Sequence, residues 1–155
     1  MTYKQALDSI VAAILYRIAE GNNDSEVYEK FYIGKTAKFS QRWNEHHNDS
    51  RFSDESLPDA KYFNEMYKLA EGTPETINQL EIDVIHHFQG EDKMCNEIEG
   101  GSGNPEANVL YVLFHMAFVG DDRNAIHSIG NDESPIADGF PLNLTESDVQ
   151  PKLYE

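Results

Sequence analysis

In "PETINQLEIDVIHHF", a helical projection at about 100° per residue puts Ile77, Leu80, Val84, Ile85 and Phe88 on one arc, with Glu81 among them. A carboxylate turned toward a core must be protonated, paired with a cation or bound to a metal, because burying it ionised and alone is costly. Periodicity alone leaves a structural ion pair, with Arg42 or Arg17, level with a functional site. A second concentration of chemistry is "KFYIGKTAKFSQRWNEHH", where Lys30, Lys35, Lys38 and Arg42 meet only Glu45. A third of the twelve basic residues thus gather in one stretch of a chain whose net charge is −16. Against that whole-protein field, a polyanionic partner needs such a local positive site.

Several other chemistries fail on residue type or spacing. "GKT" at Gly34–Thr36 is not a phosphate-binding P-loop, because Glu29 stands where that motif requires glycine. The adjacent pairs His46-His47 and His86-His87 diverge on a helix and share one metal poorly, and zinc lacks partner cysteines. Cys95 is the single cysteine, so an internal disulfide is excluded and a thiol nucleophile has little support. His115, inside an apolar run, reads as a core histidine.

These residues need elements to hold them. Thr73 as N-cap, Pro74 at the first helical position and Glu75 in the first turn predict a helix from Pro74 to about Phe88. Thr36 or Ser40 could cap a short helix to about His47, with Arg42 and His46 on one face. The first segment is ambiguous. Leu7, Ile10, Val11, Ile14 and Ile18 keep helical spacing, whereas the content from Ile10 to Ile18 also suits a buried strand. Gly21–Asp24 reads as a turn and "EVYEKFYIG" as a strand, which suggests a hairpin. "KYFNEMYKLAEG" reads equally as helix or strand. Asn104-Pro105-Glu106 repeats the cap, proline and acid order and predicts a helix through about Phe118. From Asp121 on, eight acidic residues meet only Arg123 and Lys152, as in a surface-wrapping or partly mobile tail.

The ordered set of Tyr16, Tyr32, Arg42, His46, Glu81 and Asn96 resembles the GIY-YIG nuclease family, including its homing-endonuclease-like members. Tyr32-Ile33-Gly34 with Lys35 and Thr36 matches its YIG-K-T, and Arg42 to His46 matches its Arg-x-x-x-His. "LEIDVI" matches its Leu-Glu-x-x-Leu-Ile helix, and Asn96, fifteen residues after Glu81, precedes the glycine-rich turn of "CNEIEGGSG". The first motif departs from the pattern, since Ile14-Leu15-Tyr16 keeps the tyrosine and replaces the glycine. The resemblance implies an α+β fold, a small three-stranded antiparallel sheet flanked by helices. It makes 11–19 the first strand and 62–69 the third. The nuclease-like domain would cover 1–103, with 104–155 a C-terminal helix plus acidic tail packed on it.

The chemistry implied is metal-dependent hydrolysis of DNA, duplex or branched. Glu81 would hold one divalent cation, Mg²⁺ or Mn²⁺. Tyr16 or Tyr32 would take a proton from the attacking water, Arg42 would bind the scissile phosphate, and His46 would position or relay a proton. Lys35 and Lys38 would steer the DNA backbone, and Asn96 would brace the site. The alternative is a non-catalytic module of the same scaffold, or an acidic DNA mimic acting through a protein partner; a homodimer is also open. No secretory signal pattern opens the chain and its apolar runs are shorter than the roughly 20 residues a membrane span needs, so a cytoplasmic setting without membrane is expected.

Overall fold

The computed structural model describes residues 1–20, 26–39, 41, 65–90, 94, 96, 105–118 and 135–145. Its first element is a helix, α1 (Tyr3–Glu20), where the resemblance implied a strand over 11–19 and local signals a hairpin. Helical spacing decided it. Tyr3, Ala6, Ile10, Val11, Ala13 and Ile14 are buried, a set that falls on one side only if the chain is helical. The start is a capping box: Thr2 Oγ1 accepts from the Gln5 N–H at 3.1 Å while Gln5 Oε1 accepts from the Thr2 N–H at 2.8 Å.

Four strands follow the order of the chain, β1 (Glu26–Thr36), β2 (Glu65–Gly72), β3 (Val109–Phe118) and β4 (Leu142–Leu144). The fold is α+β, but the sheet is four-stranded and mixed, in the order β1-β3-β2-β4. β3 pairs antiparallel with β1 on one side and β2 on the other, and β4 adds a short parallel edge to β2. The helix expected from Asn104 to Phe118 is therefore corrected to a turn at Pro105–Glu106 and the central strand. The physical reason lies in "NVLYVLFHMAF". Its residues from Val109 to Phe114 are all buried, so both faces of a central strand need apolar side chains and the period-2 alternation is erased. The backbone of Asn108 ties the entry to β3 across two neighbours, its N–H donating to Thr36 O at 3.1 Å and its carbonyl accepting from Gly72 N–H at 3.0 Å.

The second helix, α2 (Pro74–His87), forms where its sequence signals placed it. Thr73 caps it in an extended conformation, and its Oγ1 accepts from Thr76 N–H at 3.3 Å. Both helices pack on the same face of the sheet. Phe31, Ile33, Val112, Phe114, Tyr67 and Leu69 from the strands join Ile10, Ile14, Ile77, Leu80 and Val84 in the main core. Phe31 meets Phe88 edge-on at a centroid distance of 5.1 Å, a geometry favoured by the ring quadrupoles. The opposite face carries a smaller cluster of Phe39, Met66, Val109, Tyr111 and Leu113, with Tyr32 packed against it. In the C-terminal tail, Ile136 and Leu144 are buried in the main core, so the part of the tail bearing β4 is packed.

Candidate functional site

Strand alternation sorts the residues around Tyr32-Ile33-Gly34. Ile33 lies in the core beneath α2, and Lys35, two residues on, reaches the same helix: its Nζ donates to Asn78 Oδ1 at 2.6 Å. Tyr32, Gly34 and Thr36 alternate onto the other face. There, Gly34 crosses Tyr111. A Cβ built on Gly34 would stand 2.4 Å from the Tyr111 hydroxyl oxygen and 2.5 Å from Cζ, and Tyr111 is itself buried in the small cluster. Packing alone thus demands glycine at this position.

Glu81 is buried at 7% exposure, on the arc of α2 that also buries Ile77, Leu80, Val84 and Ile85. Asn78 precedes it by three residues, so the two side chains are neighbours on the helix surface. β1 and α2 together bring the Lys35 ammonium onto the turn of α2 that carries Glu81. Arg17, one of the two cations considered as a partner for that carboxylate, spans to β2. Its Nε and Nη2 donate to the two Glu65 carboxylate oxygens at 2.9 and 2.7 Å, and the Tyr67 hydroxyl donates to Glu65 Oε1 at 2.9 Å. This buried fork fastens α1 to the sheet. Burial, then the Glu65 charge, push the Tyr67 phenol up, with Arg17 acting against them. A second tie joins the helices: the Tyr3 hydroxyl donates to Asp83, which also accepts from Gln79 Nε2 at 3.1 Å. Burial and that hydrogen bond raise the Tyr3 phenol as well.

The other expected residues are placed differently. Tyr16 sits on the solvent side of α1 at 55% exposure, so the strand that would have aimed it at Glu81 does not exist. Tyr32 is half-buried on the sheet face opposite α2. Asn96 accepts from Ile33 N–H at 3.0 Å and donates from Nδ2 to Ile33 O at 2.7 Å, which satisfies the outer edge of β1 as a neighbouring strand would. Lys38 is exposed, and its backbone N–H donates to Thr36 Oγ1 at 3.0 Å in the turn before Phe39. Phe39 and Gln41 are helical; Arg42 and His46, and the rest of that expected helix, lie outside the described residues.

Sequence reasoning missed Asn78, although it falls within about 60° of Glu81 on the helical projection that singled Glu81 out. It also missed the Thr2–Gln5 capping box, which is legible as a threonine followed three residues later by glutamine. The Arg17–Glu65 fork carries no local signal. Among the described residues, no three His, Cys, Asp or Glu side chains converge on a possible metal position. No helix among them is long and apolar enough to cross a membrane. Neither the protein-family models, nor the curated proteins, nor the solved structures contain a match to this chain.

Proposed function

We propose that the protein is a metal-dependent endonuclease of the GIY-YIG kind, hydrolysing DNA phosphodiester bonds at a site centred on Glu81 and Lys35. The observation that carries this reading is the Lys35–Asn78 hydrogen bond, which sets the lysine of "YIGK" on the helical turn of the glutamate of "LEIDVI". A lysine from the strand and a carboxylate from the helix are the pair such a reaction needs: one to neutralise phosphate charge, one to organise the electrophilic side.

A single buried protein carboxylate such as Glu81 suits Mg²⁺ or Mn²⁺, ions that keep several waters and take their remaining oxygens from substrate phosphate. Glu81 would hold that ion, which when bound supplies charge neutralisation and a more acidic water. Lys35 would hold the phosphate from the strand side. Arg42 would present its planar donor fork to the scissile phosphate, and His46 would move a proton. Tyr16, on the outside of α1, has no part in this arrangement. The test is cleavage of supercoiled and branched DNA with Mg²⁺ or Mn²⁺. Wild type should cut, and Glu81→Ala should lose cutting while keeping its fold; cutting unchanged by that substitution removes the reading.

A second reading, a non-catalytic binding module on the same scaffold, is favoured by the positions of Tyr16 and Tyr32. Both phenols expected to take a proton from water stand away from the α2 face. Retention of DNA or of a nucleic-acid enzyme without cleavage under any divalent ion would favour it.

A further inference from the structure

Lys35 is half-buried in a chain with 28 acidic residues, yet among the described residues its ammonium meets a neutral partner, Asn78 Oδ1, and no carboxylate within ion-pair distance. Because an ammonium can only donate, the Asn78 atom facing it must be the oxygen, which leaves the amide nitrogen as the end open to a ligand. No described residue accepts from that nitrogen. Two further N–H bonds of the ammonium are likewise uncommitted among the described residues. Aspartate at position 78 would hold Lys35 as firmly and cancel its charge. The amide holds it and leaves the full positive charge in place.

We propose that Lys35 and Asn78 form a two-donor seat for one phosphodiester oxygen, with Asn78 both fixing the ammonium and donating from Nδ2 to the same oxygen. This rests on the nuclease reading for its substrate, and it assigns a binding role to a residue that the matched motifs do not include. Asn78 and Glu81 are three residues apart on α2, so the seat stands beside the turn that carries the carboxylate.

The test uses the full chain with ¹³C,¹⁵N-labelled lysine and dimethyl phosphate as the probe, the Lys35 Nζ resonance being assigned by its loss in Lys35→Met. Asn78→Asp is the informative variant, because it keeps an acceptor for Lys35 and removes the donor. Dimethyl phosphate should move the Lys35 Nζ resonance of wild type and leave it nearly still in Asn78→Asp, whose circular dichroism should match wild type. The same variant should lower kcat/KM for plasmid cleavage by about ten- to a hundredfold, the size expected for losing a hydrogen bond to a charged group. Aspartate removes the Nδ2 donor and the uncompensated charge together, the two features on which the seat depends, so its effect reads the seat as a whole. Cleavage kept in Asn78→Asp, or an Nζ resonance that ignores dimethyl phosphate in wild type, therefore overturns the seat. A wild-type protein that cuts no DNA but shows the Nζ response, lost in Asn78→Asp, supports the seat and removes the nuclease reading instead.

Discussion

The side-chain amide of Asn96 occupies both hydrogen-bonding groups of Ile33, taking its N–H at 3.0 Å and giving to its carbonyl at 2.7 Å. β1 is an edge strand, bonded along one side to β3, and an unpaired edge is open to association with another chain. Asn96 closes that edge at the position directly above the core residue Ile33. Next to it, Met94 makes an isolated parallel bridge to Phe31, so the segment acts as a fragment of a fifth strand.

Asn96→Ala should therefore destabilise the fold by about 1–3 kcal/mol, the cost of leaving part-buried backbone groups without partners. Asn96→Asp keeps the acceptor for the Ile33 N–H and loses the donor to its carbonyl, and should fall between the two. Urea midpoints of the three proteins measure this; equal midpoints would mean that water replaces the amide without loss.

Gly34→Ala should cost about 1–3 kcal/mol, because the new methyl group meets the Tyr111 ring in a packed cluster. The side chain at fault can be identified by a double-mutant cycle with Tyr111→Val. If the clash is the cause, the two changes couple by about 0.5–3 kcal/mol, the pair being less damaging than their sum. Additive effects would place the cause elsewhere.

Arg17→Met strands the Glu65 carboxylate in a buried position, where the paired side chains are only 12% and 9% exposed. The expected loss is about 3–5 kcal/mol. Replacing both partners, Arg17→Met with Glu65→Leu, should restore most of it, since removing the pair also removes its desolvation cost. Chemical denaturation of the three variants separates a needed ion pair from a needed shape.

Alkaline stability follows from Tyr3 and Tyr67, whose phenols are both raised above their ordinary value by burial first and then by neighbouring carboxylates. Above about pH 10 the unfolded chain releases phenolic protons that the native protein retains, so stability present at lower pH is lost as pH rises. The slope should reach about 1.4 kcal/mol per pH unit for each phenol. Tyr67→Phe should remove one of the two contributions, visible as a shallower fall of the urea midpoint between about pH 9.5 and 11.

How legible the fold was depended on whether a segment's signals were local. α2 could be read to within a residue because Thr73, Pro74 and the period of Ile77, Leu80, Val84 and Ile85 all agree. α1 was readable from its own spacing, and the resemblance to a family in which that stretch is a strand pointed the other way. β3 misled for a physical reason. Asn104-Pro105-Glu106 has helix-start chemistry, but the β-branched and aromatic run behind it is buried on both faces and its partners, β1 and β2, are far away in sequence. In the site, the inward Glu81 was visible from periodicity, whereas the Lys35–Asn78 contact required knowing that β1 passes beside α2 with Lys35 on that face. The glycine of Tyr-Ile-Gly, read as part of a family signature, has a sufficient explanation in Tyr111.

The central place of β3 has a consequence for biogenesis. β1 and β2 do not bond to each other; each is held by β3. A nascent chain that has emerged only as far as the glycine-rich segment near Gly103 carries β1, β2, α1 and α2 without the strand that joins β1 to β2. Its apolar faces, Phe31 and Ile33 on one strand and Tyr67 and Leu69 on the other, wait for the ribosome to deliver the third. Assembly is thus late and all at once, and a chain arrested before Val109 is a client for chaperones rather than a smaller working protein.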